Sequence, residues 1–466
     1  MNIAFYTGTS FDLEEYKTKI IGSMGRGNEI IVAKRFPKPL GLANAKEEYI
    51  HSDEVFSRKP AKKEMAEAER SLGIPFPLLL RYWYNWDRKK EKNRAAMLEH
   101  YAAITQYFLY WRKFFSENRT HVFVTTYEST FPEIVSVQVA RSMGIKVIYI
   151  YGGRVSGSLM LCDADCAPIY WKKITEKEKG EIYSMLRERY NARKAAENLN
   201  VAKDVRKYSD YSLGNIAYKL GRLVSYWRNY YAMPKMDRMR TISPFKLLYK
   251  YLEGQARQYY SMRLCRDWDY RNMNYFLFPL QFDDEANASY QEAFLSQFDV
   301  IKAVSLSLPI NHYLIIKPHP HWKNRDIPVG RMKEMMALPN VRMISPDVST
   351  IDLINGSKGV FIINSTPGYE AIVLGKPVVT FGHDLLFSGK EPVITVHDMN
   401  KLPGVAAKLA NGGIRPDEKK AKELVARYYK HLIFLEGRFG MNRIDLTDKD
   451  AKKMARALEE CISAIA

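Results

Sequence analysis

Two stretches of this chain alternate short, continuously apolar runs with helical periods, and that alternation constrains the fold more than any other feature. In the first, Val122-Phe-Val-Thr-Thr-Tyr127 reads as a buried strand, Pro132 to Met143 as a helix that Gly144 ends in a left-handed cap, and Ile145 to Tyr151 as the next strand. Asn2 to Thr7 and Glu29 to Ala33 add earlier strands, followed by a charged, aromatic and mostly helical stretch over 62–118. The second stretch opens with strands over Tyr275–Pro279 and His312–Lys317. It continues with a strand over 341–344, a helix capped by Ser349 and ended near Gly356, and a strand over 359–363. A helix opening at Thr366-Pro367 and closed by Gly375 then leads to a strand over 377–381. Strands joined through helices need crossover connections and pair in parallel, so each stretch predicts an α/β unit with a parallel sheet.

Between them, from about Lys172 to Asp269, strand alternation is missing and the periodicity is helical. From Tyr211 to Tyr260 there are nine Lys or Arg against two acidic residues, a local excess of +7 within a chain whose 71 basic and 52 acidic residues give 71 − 52 = +19. Such a surface attracts polyanions: nucleic acid, anionic lipid or phosphorylated substrates. Leu213, Ile216, Leu220, Leu223, Val224, Trp227 and Tyr231 share one helical face. That face suits either a core-facing helix with a solvated basic back or a helix lying on a membrane surface.

Length excludes a small stapled scaffold: 466 residues hold two or three domains. The four cysteines contain one close pair, Cys162 and Cys166, so neither a disulfide framework nor a four-ligand zinc site is expected, and no metal is assigned. The N-terminal residues lead straight into a strand without the pattern of a signal peptide, and no apolar run of about 18 residues occurs. A cytoplasmic protein with at most peripheral membrane contact is the expectation.

Ligands of open α/β sheets sit at the carboxyl ends of strands. Two loops of the second stretch are unusual there. Lys317-Pro-His-Pro-His321 holds His319 on a corner stiffened by Pro318 and Pro320, where an imidazole can donate to a phosphate or carry positive charge toward a leaving group. The bland alternative is a solvated loop histidine. Asn364-Ser-Thr-Pro-Gly-Tyr-Glu370 leads from a buried strand into a helix. Its free N–H groups, the Ser365 and Thr366 hydroxyls and the small Gly368 suit an anion, and Glu370 one turn later suits ribose hydroxyls. Ordinary N-capping by Thr366 is the alternative there. P-loop, dinucleotide-fingerprint, Gly-x-Ser-x-Gly and His-Glu-x-x-His motifs are absent.

The combination of Pro279-Leu-Gln281, Lys317-Pro-His-Pro320, Asn364-Ser-Thr-Pro-Gly-Tyr-Glu-Ala371 and Gly375-Lys-Pro377 resembles the capsule polysaccharide biosynthesis family over about residues 120–385. Its characterised members are GT-B glycosyltransferases, including Kdo transferases that use a CMP-activated sugar. The resemblance implies two Rossmann-like domains facing across a cleft with a helical insertion or bridge. The implied boundaries are 1–171 for an acceptor domain, 172–269 for the helical segment elaborating it, 270–430 for a nucleotide-sugar domain, and 431–466 for helices packing back across the interface. His319, Lys317, Ser365, Thr366 and Gly368 would then grip the donor phosphate, Glu370 the ribose, and Gln281 would line the crevice. An acidic residue after each strand of the N-terminal βαβ unit implies catalytic roles for Glu128 and Asp163, with Asp165 a competitor; each also reads as a loop acid or helix cap. The implied reaction extends a bacterial surface or capsular polysaccharide, or its lipid-linked precursor, from a nucleotide sugar, with no metal and no nucleic-acid partner, on the inner face of the cytoplasmic membrane. A CDP-polyol phosphotransferase of teichoic-type synthesis could use the same loops, and a nucleic-acid-binding protein could use the Tyr/Arg-rich stretch.

Overall fold

A computed structural model describes residues 1–6, 11–25, 27–34, 40–50, 55, 58–81, 93–126, 131–153, 155, 157–165, 167–209, 213–232, 243–265, 269–281, 296–319, 327–382, 389–439 and 444–465. The chain forms two compact units, Met1–Lys173 with Lys430–Ala466, and Ile174–Tyr429. The basic helical segment therefore groups with the second unit rather than elaborating the first, and the final helix belongs to the first.

In the first unit, β1 (Asn2–Tyr6), β2 (Glu29–Lys34), β3 (Ala45–Tyr49), β4 (Val122–Thr126) and β5 (Lys146–Gly152) are parallel, in the spatial order β3-β2-β1-β4-β5. All but the edge strand β3 are near-continuous apolar runs, as burial on both faces demands. One cluster on this sheet joins Phe5 and Val124 to Tyr16 and Ile20 of the Phe11–Gly22 helix and to Met454, Leu458 and Ile462 of the Asp448–Ile465 helix. The last three recur every four residues, one helical face, each worth roughly 1.5–3 kcal/mol of apolar burial. Trp111 and Phe115 of the long Arg94–Glu117 helix form an aromatic layer with Phe123 of β4, the rings packing at 5.1–5.6 Å between centres. Gly144, at φ 72°, takes the left-handed cap its position demands.

Beyond β5 the parallel pattern ends. β6 (Ser158–Cys162) runs antiparallel to β5, with Tyr151 opposite Met160 and Tyr149 opposite Cys162, and β13 (Ile433–Phe434) adds to its far side. Only five residues link β5 to β6, too few for a crossover.

In the second unit β7 (Tyr275–Pro279), β8 (Tyr313–Lys317), β9 (Val341–Met343), β10 (Val360–Ile362), β11 (Val378–Thr380) and β12 (Ile394–Thr395) are all parallel, ordered β12-β11-β10-β7-β8-β9. The chain starts in the middle, builds outward through β8 and β9, then returns to the other side of β7. That reversal is the doubly wound order, and it creates a topological switch point between β7 and β10. The Ser349 hydroxyl caps the Thr350–Gly356 helix by accepting from the Asp352 N–H at 3.3 Å. Gly375, at φ 69°, ends the Thr366–Val373 helix. Tyr369 of that helix packs its ring against Tyr428 at 5.0 Å, and burial pushes its phenol well above its ordinary pKa.

Candidate functional site

Three strand ends meet at the carboxyl edge of the second sheet. β7 leads to Leu280 and Gln281, β8 to Pro318 and His319, and β10 to Ile363, Asn364 and Ser365. Because β10 and β8 are the two neighbours of β7, the His319 corner and the Ser365 corner lie about 10 Å apart, twice the inter-strand spacing, on one edge of one sheet. The two loops singled out in the sequence are thus brought together.

The ends are tied by amide groups. Gln281 Nε2 donates to the Asn364 carbonyl at 2.7 Å, and its Oε1 accepts from the Asn364 N–H at 3.3 Å. Gln297, at the start of the Gln297–Ser307 helix, repeats the arrangement one step on. Its Nε2 donates to the Gln281 carbonyl at 3.0 Å and its Oε1 accepts from the Gln281 N–H at 3.2 Å. Each carboxamide thus imitates the peptide of a neighbouring strand, satisfying main-chain groups just where the ladder stops. Leu280 N–H to the Lys317 carbonyl, 2.8 Å, and Thr380 Oγ1 to the Ile363 carbonyl, 2.7 Å, extend the ties to β8 and β11. Gly382 completes the packing: a Cβ there would stand 2.5 Å from Asn364 Oδ1 and 2.7 Å from the Ile363 carbonyl.

Ser365, not Thr366, is the N-cap, so Thr366 is the first helical residue and Pro367 the second. The Ser365 side chain makes no capping hydrogen bond, and the helix opens with its positive end at the switch point. Together with the hydroxyls of Ser365 and Thr366 it can receive an anion. Gly368 has a different reason to be small: its Cβ would lie 2.2 Å from Ile362 Cδ1, so the missing side chain lets the helix sit against the sheet. Glu370 is buried in the helix one turn beyond Thr366, and His319 is half-buried. Lys317 departs from expectation. It is buried and its ammonium donates to the Pro346 carbonyl at 3.0 Å, which turns it into the loop after β9.

In the first unit Glu128 lies outside the described residues. Asp163 corrects the expectation of a strand-end carboxylate. Since β6 is antiparallel, its exit points to the amino ends of the parallel strands, opposite the edge where ligands of such sheets bind. Asp163 Oδ1 accepts from the Asp165 and Ala167 N–H groups, both at 2.9 Å, and shapes that loop. Asp165 pairs with Arg141 at 2.8 Å, at the same amino end. Two groups at the carboxyl edge carry no motif that marks them in the sequence: buried Lys17, whose ammonium donates to the Tyr6 carbonyl at 3.0 Å, and Glu133, fully buried in the first turn of the Phe131–Ser142 helix. Gln297 was missed for a plainer reason, since a glutamine in the first turn after a serine cap reads as solvated.

The sequence profile of the family described as "Capsule polysaccharide biosynthesis protein" matches residues 173–389. The matched segment holds both C-terminal loops on which the resemblance rests. The match starts after the N-terminal βαβ unit, so the carried-over roles of Glu128 and Asp163 fall outside it. The protein FixF of Sinorhizobium fredii is 31% identical over 119 residues, which is 26% of this chain and 27% of that protein; the chain thus spans about a quarter of the length of this curated relative. Among solved structures, the β-Kdo 2,7 transferase of Thermosulfurimonas dismutans KpsC aligns over 98% of this chain and 99% of its own at 13% identity and a TM-score of 0.38. Anabaena HepE, in complex with UDP and glucose, aligns over 100% of both chains at 10% identity and 0.33. A UDP-GlcNAc 2-epimerase from Methanocaldococcus jannaschii aligns over 92% of this chain and 99% of its own at 12% identity and 0.27.

Proposed function

We propose that this protein is a glycosyltransferase that takes a sugar from a nucleotide-activated donor, CMP-linked and Kdo-like, and extends a bacterial surface or capsular polysaccharide or its lipid-linked precursor at the cytoplasmic face of the membrane. The observation that carries the proposal is the convergence of the His319 and Ser365 corners on the switch point of the second sheet. In this reading the donor phosphate sits at the helix opening, receiving hydrogen bonds from Ser365 and Thr366 and the positive end of the helix. His319 donates to the same phosphate from the neighbouring corner. Glu370 accepts from ribose hydroxyls, and Gln281 holds the β7 and β10 ends at the separation the phosphate needs.

The reaction breaks the bond between the anomeric carbon and the phosphate oxygen and forms one to an acceptor hydroxyl oxygen. Negative charge develops on the leaving phosphate, so donors fixed around it are worth more in the transition state than in the ground state. The acceptor proton goes to a carboxylate acting as general base, for which Glu128 is the candidate.

The test is a thermal-shift panel of CMP, CDP, UDP and GDP on the full chain. A ligand that binds only the folded state raises the melting midpoint by mass action. CMP or CDP should raise it most, and His319→Ala and Glu370→Ala should each abolish the shift without lowering the unliganded midpoint by more than a few degrees. A flat panel, or variants that respond like the parent, would reject the reading.

A further inference from the structure

The Pro244–Leu264 helix presents to solvent the face that helices ordinarily bury. Its back, with Leu247, Gly254 and Ser261 at seven-residue spacing, packs on the second unit, where the Ser261 hydroxyl contacts Met343 Sδ at 3.8 Å and Tyr260 and Leu264 border the core. Its front carries Phe245, Leu248, Tyr249, Leu252 and Tyr259 along one stripe roughly 20 Å long. Phe245 is 64% exposed, Leu252 58% and Tyr259 63%. The adjoining Leu213–Ala232 helix continues the patch: Trp227 packs edge-on to Phe245 at 4.8 Å, and Val224 and Tyr231, one of its faces, are exposed. A contiguous apolar surface of this kind marks a docking site.

The charge around it identifies the occupant. Beside it stand Arg228, Lys246, Lys250, Arg257 and Arg263 against a single acid of these two helices, Glu253, which is paired to Arg257 at 2.5 Å. The Arg263 guanidinium lies 4.7 Å over the Tyr259 ring. Protein–protein interfaces deplete lysine around their apolar centres, whereas a bilayer with anionic headgroups rewards this pattern: apolar and aromatic side chains enter the interface while lysine and arginine reach sideways to phosphates. Among the described residues no helix is long and apolar enough to cross a membrane, so the contact is one of docking.

We propose that the exposed stripe of the Pro244–Leu264 helix, with Val224 and Tyr231 beside it, docks the protein flat on an anionic lipid surface. Docking would hold the second unit beside lipid-linked acceptors, but vesicle binding is measured without turnover and stands apart from the transferase reading.

The test is sedimentation of the full chain with vesicles of phosphatidylcholine alone or with one-third phosphatidylglycerol. Only the anionic vesicles should retain the parent, and raised salt should release it. Substituting Phe245→Ser, Leu248→Ser and Leu252→Ser together should weaken retention about tenfold or more, and Lys246→Glu with Lys250→Glu about thirtyfold or more at low salt. Melting midpoints should fall by no more than a few degrees, the loss of the Phe245 contact with Trp227 included, because every substituted side chain is exposed or half-exposed. A second readout avoids disruptive variants: Tyr249→Trp should blue-shift on anionic vesicles and be quenched by brominated acyl chains. The proposal is overturned by equal retention on both vesicles, by variants that bind like the parent, or by an unshifted Tyr249→Trp. It is equally overturned if the variants instead abolish self-association or RNA retention while vesicle binding is unaltered.

Discussion

Replacing Gln281 by leucine removes a side chain that ties the end of β7 to the end of β10. Two hydrogen bonds go, at 2.7 and 3.3 Å, and the Asn364 N–H and carbonyl lose their partner. A typical hydrogen bond contributes about 0.5–1.5 kcal/mol net, and a buried group left unsatisfied costs about 1–3 kcal/mol. Asn364 is only half-buried and the 3.3 Å bond is long, so water recovers part of the loss. The second unit should therefore lose about 2 kcal/mol. Gln297 depends on Gln281 only through its main chain, which leucine retains, so the neighbouring amide pair should survive. Urea unfolding followed by far-UV dichroism measures the stability, and the nucleotide thermal shift measures the site. Gln281→Leu should lower both, and Gln281→Glu should be worse at pH 7 than at pH 4, because an ionised carboxylate accepts from the Asn364 N–H but repels its carbonyl. A change below about 0.5 kcal/mol with an intact nucleotide response would refute the idea that this amide holds the switch point open.

Gly368→Ala should lower the second unit's stability by about 1–3 kcal/mol through overpacking against Ile362, readable as a reduced melting midpoint, and should weaken nucleotide binding by displacing the helix opening. Asp163→Ala should leave turnover within about twofold and cost only about 1 kcal/mol, the loss of its loop hydrogen bonds; abolished turnover with intact melting would restore it as catalytic. Asp450 tests the first unit by pH. Burial pushes its carboxyl up, but the Glu436, Gly437 and Thr447 N–H groups and the Thr447 hydroxyl outweigh this and hold it below its ordinary value. A depressed carboxyl contributes stability that is present above its unfolded value and lost as pH falls through its folded one. Asp450→Asn should thus destabilise by about 1–3 kcal/mol at pH 7, and the difference from the parent should shrink below about pH 4 in acid titrations of the melting midpoint.

Much of this architecture follows from local pattern. The β4–helix–β5 unit, strands β7 to β11 of the second sheet, the Ser349 cap and the Gly144 and Gly375 stops all occur where residue type demands them, because each is settled within a few residues. What the pattern conceals is pairing across the chain. β3, Ala-Lys-Glu-Glu-Tyr, has no apolar alternation and becomes a strand by adding to β2, where Glu47 meets Lys34 at 2.5 Å. The antiparallel turn of β6 follows from a short link that is visible in sequence, yet its consequence, placing Asp163 at the wrong edge, emerges only from the register. The Gln297, Gln281 and Asn364 amides lie 16 and 83 residues apart and signal nothing to one another until the sheet is assembled. The role of Lys317 misled for the same reason: its partner, Pro346, belongs to a loop 29 residues away.

Hydrogen–deuterium exchange of the full chain with and without saturating CMP addresses the switch-point site most directly. Exchange should slow in the peptides that span Leu280–Gln281, Pro318–His319 and Ser365–Glu370. Protection confined to peptides of the first unit, with those three unchanged, would contradict this reading.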